Sequence, residues 1–150
     1  MLKELKEVHV ERWDDDGPAA IETVAPIMPL ASLEVLRLSG VDCDAHDNLL
    51  NGLQSRITAL DIMSTSITEA ALQGVLQACP HMETLSVSWG THVYLEEVDF
   101  RKFGGIISRY GTKLQELRLT LDDHDTSCHM LSTCHEPFVS LKAMTSLRVL

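Results

Sequence analysis

Hydrophobic and polar residues alternate along this chain in short, recurring bursts. A local pattern, apolar-x-x-apolar-x-apolar, occurs as Leu5-Val8-Val10, Leu33-Leu36-Leu38, Ile57-Leu60-Ile62, Met82-Leu85-Val87 and Leu114-Leu117-Leu119, and a sixth copy begins with Leu147 and Leu150. The first positions are separated by 28, 24, 25, 32 and 33 residues. In Leu36-Arg37-Leu38-Ser39 and Leu117-Arg118-Leu119-Thr120 the period is two. Apolar side chains therefore share one face of a strand and polar ones the other. Two or three buried residues per strand cannot build a core alone, so each copy must stack on the next in a parallel sheet. Each return crossover then needs a connecting element of a dozen or more residues.

The connections carry helical periodicity. Between Thr68 and Pro80, the residues Leu72, Val75, Leu76 and Cys79 fall at i, i+3, i+4 and i+7, one face of a helix. Thr68 suits its N-cap and Pro80 bars its continuation. Phe100, Phe103, Ile106, Ile107 and Tyr110 repeat the pattern, closed by Gly111 as the expected C′ residue. Ile21, Val24 and Met28 predict a helix after Gly17-Pro18, with Pro18 at N1. Leu49, Leu50 and Leu53 predict a shorter helix, and Phe138, Leu141 and Met144, behind Pro137, a fifth. Strand and helix alternate five times, which predicts an α/β solenoid.

These residues resemble the leucine-rich repeats of the ribonuclease-inhibitor-like kind. The stretch ITALDIMSTSITEAALQGVLQACPHMETLSVS is similar to the cysteine-containing repeat of F-box proteins: strand, Ser66-Ile67-Thr68-Glu69, amphipathic helix, Cys79-Pro80, next strand. SLEVLRLSGVDCD fits the same pattern, and Ser146-Leu147-Arg148-Val149-Leu150 echoes Ser32-Leu33-Glu34-Val35-Leu36. The resemblance covers essentially residues 1–150. It implies a horseshoe with a parallel sheet on the concave side and helices on the convex side, about five repeats and the start of a sixth. It further implies a protein–protein interaction module, in particular the substrate-recognition region of an F-box-type ubiquitin-ligase receptor. Two departures stand out. The Asn or Cys that follows the strand in the family is replaced by Trp13, Val41, Thr65, Gly90 and Asp122, so irregular turns are expected. No F-box-like segment stands before Leu5 within these residues. Since an uncovered terminal repeat exposes its apolar face, we expect these residues to be a piece of a longer solenoid.

Composition narrows the function classes. With 12 Lys and Arg against 22 Asp and Glu, the net charge is −10 and the pI about 5.0, which argues against a nucleic-acid binder. No apolar run approaches the roughly 20 residues of a membrane span, and the opening MLKELKEV lacks the apolar core of a signal peptide. Four Cys at irregular spacing fit reduced thiols better than a disulfide framework. The expected location is intracellular, cytoplasmic or nuclear.

Candidate chemistry is sparse, and we expect no enzyme and no cofactor. There is no Gly-rich phosphate loop, HExxH or GxSxG. Gly104-Gly105 is read as close packing or a small kink. The stretch from Asp122 to His135 holds two Cys and three His, and His124, Cys128, Cys134 and His135 could offer a zinc ion four ligands. The spacing matches no familiar finger, and adjacent Cys134 and His135 would have to converge on one ion. A solvated loop with reduced thiols is therefore the preferred reading, over both zinc and a Cys128–Cys134 disulfide. Acidic clusters Asp14-Asp15-Asp16, Asp42/Asp44/Asp47 and Asp122/Asp123/Asp125 recur at one phase of the repeat. They read as a solvated rim that could steer a basic partner.

The wet strand positions supply the candidate partner-binding surface. They form a central column of His9, Arg37, Asp61, Ser86 and Arg118 and a flanking column of Glu11, Ser39, Met63, Ser88 and Thr120, with Trp89 just beyond. Arg and Trp are enriched among interface hot spots, so the candidates are Arg37, Asp61, Trp89 and Arg118. For Trp89 a second reading stands beside the first, that it covers the core at the strand end. The alternatives to an F-box-type receptor are a recognition scaffold outside the ubiquitin system, such as a GTPase regulator or receptor-type repeat region, and a zinc-dependent module built on the His/Cys stretch.

Overall fold

A computed structural model of the protein describes residues 4–11, 19–43, 50–64, 67–89, 99–121 and 144–148. Five strands, β1 (Glu7–Glu11), β3 (Val35–Ser39), β5 (Ala59–Met63), β6 (Thr84–Trp89) and β7 (Glu116–Leu121), lie side by side in chain order. Every pairing is parallel. The register puts equivalent repeat positions opposite one another: Val8, Leu36, Leu60, Leu85 and Leu117 form one row, and Val10, Leu38, Ile62, Val87 and Leu119 the next. Leu36, Leu60, Leu85, Leu38, Ile62 and Val87 are buried, whereas Val8, Val10 and Leu119 on the two outer strands are half-buried. A slip of one residue would turn each row to the wet face. With each buried Leu, Ile or Val worth about 1.5–3 kcal/mol, the pattern pins the register.

The backbone joins successive copies by one repeated device. The carbonyl of Lys6 accepts from the N–H groups of Glu34 and Val35, that of Glu34 from Thr58 and Ala59, that of Thr58 from Glu83 and Thr84, and that of Glu83 from Gln115 and Glu116. The step recurs between Gln115 O and Arg148 N at 2.8 Å, where the sixth copy begins. The first apolar residue of most copies also closes a tight turn, its N–H reaching the carbonyl three residues back: Leu33 to Leu30, Met82 to Cys79, Leu114 to Gly111 and Leu147 to Met144. The third copy differs. There Ile57 N–H is taken by the Ser55 hydroxyl at 3.2 Å, and that hydroxyl donates to Met28 O at 2.7 Å.

Beyond the main strands the chain turns sharply. Gly40 and Ser64, equivalent residues one step past β3 and β5, have φ of 64° and 51°, the left-handed conformation that glycine adopts most readily. A second ladder follows, with β2 (Ala19–Ala20) beside β4 (Val41–Asp42) and Cys43 bridging Ile67. Val41, Cys43 and Ile67 are buried here. Apolar packing thus serves at Val41, where the family pattern would set a turn-capping Asn.

Two α-helices occur among the described residues, both where periodicity predicts them. In α1 (Glu69–Ala78), the Thr68 side chain accepts from Ala71 N, and Ala71, Leu72, Val75, Leu76 and Ala78 are buried. In α2 (Phe100–Tyr110), Asp99 caps the N-terminus by accepting from Arg101 N and Lys102 N, at 3.1 and 3.0 Å. These bonds, above all the one from Lys102, hold the Asp99 carboxyl below its usual range. The Lys102 ammonium in turn meets Asp99 Oδ2 at 3.3 Å, and this bond, with Glu69 nearby, raises Lys102. Gly111 ends α2 at φ −85°, so it is not a left-handed C′ residue. Space explains it instead: a Cβ there would lie 2.6 Å from Leu114 Cδ1 and 2.8 Å from Ile107 O. For Gly105 neither packing nor a close approach applies, since a Cβ would meet nothing within 4 Å.

Two predicted helices are corrected. Ile21, Val24 and Met28 are buried as expected, but the segment forms only a 3-10 turn over Ile21–Thr23 followed by further turns. Pro26 and Pro29 cause this. Neither can donate to a carbonyl four residues back, so after a single four-residue bond from Ala25 to Ile21 the chain proceeds by three-residue steps, from Ile27 to Val24 and from Leu30 to Ile27. In the Leu49-Leu50-Leu53 region the described part, from Leu50 on, is a turn with Gly52 at φ 76°. Its Leu50 is buried against Gly74 of α1. Most of the helix predicted around Phe138 and Leu141 lies outside the described residues, and Met144 at its end is buried.

Candidate functional site

The two apolar rows of the strands point to the face that carries α1, α2 and the turns, and no described element covers the opposite face of the sheet. On it, the central column is in register across all five strands: His9 opposite Arg37, Arg37 opposite Asp61, Asp61 opposite Ser86, and Ser86 opposite Arg118. The flanking column of Glu11, Ser39, Met63, Ser88 and Thr120 is equally continuous. Parallel pairing in sequence order converts the period-two alternation of five separate segments into rows about 4.8 Å apart.

A third column, Glu7, Val35, Ala59, Thr84 and Glu116, completes the face, and it changes the electrostatics. Arg37 Nε meets Glu7 Oε1 at 2.9 Å, reaching diagonally to the neighbouring strand. Arg118 is paired with Glu116, two residues earlier on its own strand. Both arginines are thus engaged with glutamates of the same face. Asp61, half-buried between them, makes no ion pair with a described residue. The two glutamates were missed from the sequence, although they share the outward parity of Arg37 and Arg118; that parity was the available signal.

Trp89 is placed elsewhere. It shares the parity of Leu85 and Val87, is only 2% exposed, and lies opposite Leu121 at the end of the β6–β7 ladder. Its ring stands edge-on to Phe100 and Phe103 of α2, with both centroids at 5.5 Å. The indole N–H is buried without a hydrogen-bond partner among the described residues. Trp89 thus takes the second of its two readings and closes the core at the strand end. The open face carries Arg37, Asp61 and Arg118 without it.

Reactive groups are few in the described part. Cys43 and Cys79 are buried thiols in no disulfide. Burial pushes the Cys79 thiol up to about 11, opposed by a hydrogen bond with Ser55, so it is neutral and inert near pH 7. No cluster of three His, Cys, Asp or Glu able to hold a metal occurs among the described residues, and the stretch with His124, Cys128, Cys134 and His135 lies outside them. No helix among the described residues is long and apolar enough to cross a membrane.

The stacked parallel strands, the repeated carbonyl step and the α1 copy define the class, a leucine-rich-repeat module, a non-enzymatic repeat type used for protein interaction. Comparison with known families agrees. A family model described as "FBD-associated F-box protein At5g56370, LRR repeats" matches residues 1–102. The chain belongs to this family. No curated protein and no solved structure matches the chain.

Proposed function

We propose that residues 1–150 form five leucine-rich repeats and the start of a sixth in a horseshoe solenoid, and that its open sheet face binds a protein partner as the substrate-recognition surface of an F-box-type ubiquitin-ligase receptor. The observation that carries the reading is the unbroken register of the outward column, His9, Arg37, Asp61, Ser86 and Arg118, over five strands. A face built of such columns is rigid, so association costs little conformational entropy. Its stacked repeats supply the extended surface on which solenoids bind. Membership of the F-box-associated repeat family supports the ubiquitin-ligase assignment and with it a cytoplasmic or nuclear location.

The test is purification of the tagged protein from its own cells, with mass spectrometry of what accompanies it. Recovery of the ubiquitin-ligase adaptor and cullin, together with further partners lost from an Arg37→Glu/Arg118→Glu variant, is the expected result. A stable partner without adaptor or cullin would refute the ligase assignment. Partners unchanged in the double variant would refute the assignment of the face.

A further inference from the structure

This inference rests on the reading of the open sheet face as the partner surface. We infer that the face recognises a lysine or arginine side chain on an extended segment of its partner, with Asp61 as the anchoring carboxylate.

Three observations converge. First, the two arginines of the central column are already engaged. Arg37 lies opposite Asp61 in register, yet its guanidinium is held by Glu7 at 2.9 Å, and Arg118 is held by Glu116. Asp61 is left as the central charge of the face without an ion pair to a described residue. Second, the surroundings of Asp61 are low. Ala59 flanks it on β5, and Thr84, Ser86 and Ser88 line β6, so short side chains floor a strip roughly two strand spacings, or about 10 Å, wide, with the longer Met63 at its end. The Arg37–Glu7 and Arg118–Glu116 pairs stand on either side of this strip. A lysine or arginine stem can lie along Ala59 and Met63 while its head reaches the carboxylate, and the Ser86 hydroxyl opposite Asp61 can accept a second bond. Third, the chain carries a net charge of −10, which draws in cationic segments and repels acidic ones. An anionic guest would meet Asp61 at like charge, and the charges of the two arginines are already offset by Glu7 and Glu116. Glu7 has a specific part in this: by holding Arg37 aside it keeps Asp61 from being neutralised within the sheet.

The experiment uses immobilised nonapeptide pools with random flanks and a central residue fixed as Arg, Lys, Ala or Glu, probed with the full chain at low and physiological salt. The Arg and Lys pools are expected to retain about tenfold more protein than the Ala and Glu pools, the gain from one charge-assisted pair, with the margin shrinking as salt rises. Asp61→Asn should abolish the preference, whereas Arg37→Gln and Arg118→Gln should keep it. Glu7→Gln should weaken it, since Arg37 is then free to turn to Asp61. Circular dichroism of each variant verifies the fold. Equal retention by all pools, or a preference that survives Asp61→Asn, overturns the inference. If pools bind without cation preference and Arg37→Glu/Arg118→Glu removes that binding, the inference falls while the face remains the partner surface. If no substitution on the face alters any binding, both fall.

Discussion

Ser55→Ala should be among the most damaging single-atom deletions in this protein. Ser55 is 4% exposed, and its hydroxyl serves two partners: it donates to Met28 O at 2.7 Å and accepts from Ile57 N at 3.2 Å. In the copies led by Leu33, Met82, Leu114 and Leu147, the N–H equivalent to that of Ile57 is satisfied by a backbone carbonyl three residues back. The third copy has the side chain in place of that turn. Alanine therefore leaves a buried N–H and a buried carbonyl unpaired, each costing about 1–3 kcal/mol. Allowing for partial relaxation, the loss should be about 2–4 kcal/mol. In urea, with a slope of about 2 kcal/mol per molar, the midpoint should fall by roughly 1–2 M. Hydrogen exchange at the Ile57 amide should accelerate beyond what global destabilisation accounts for, and Ser55→Thr, which retains the hydroxyl, should lose less. A loss under about 1 kcal/mol, with Ile57 exchange unchanged, would refute the reasoning.

Other substitutions test other parts of the account. Gly105→Ala should stabilise by about 0.5–1 kcal/mol, since the site is open and alanine is the better helix former; Gly111→Ala should destabilise by about 1–3 kcal/mol, because its Cβ would press on Leu114 and Ile107 O. Thermal melts that rank the pair the other way would contradict both arguments. Trp89→Ala should cost about 3–5 kcal/mol by opening a cavity beside Phe100 and Phe103, read by chemical denaturation; a loss under 1 kcal/mol would return Trp89 to the surface. Cys79 gives a pH signature. Burial raises its folded pKa from 9.0 to about 11, so the unfolded thiol ionises first and alkali favours unfolding. Relative to Cys79→Ala, the native protein should lose up to about 2–3 kcal/mol between pH 9 and pH 11 and nothing below pH 8; parallel stability–pH curves for the two proteins would refute the assignment.

Particular elements show how far the chain could be read without its fold. Period-two alternation gave the five strands and both outward columns, because each strand's two faces are set by local backbone geometry. Thr68 was legible as a cap for the same local reason, as Asp99 ought to have been. The segment from Ile21 to Met28 was legible in its burial but misjudged in its type: apolar spacing reports which residues face the core, whereas Pro26 and Pro29, present in the sequence, decide whether a helix can form there.

Periodicity is thus written along the chain: the strands, their buried and wet faces, the α1 and α2 helices, and the order in which copies stack. These follow from forces acting within a few residues, namely dihedral preference, capping and the parity of apolar side chains. Tertiary structure alone decided how side chains distant in sequence meet. It drew Arg37 to Glu7, 30 residues away, in preference to Asp61 on the adjoining strand. Phe100 and Phe103 of α2 pack against Trp89, and the Ser55 hydroxyl reaches the carbonyl of Met28. Each pairing depends on which repeat packs beside which and at what height, and a hydrogen bond or an ion pair is won or lost over about an ångström, a distance that spacing along the chain does not encode.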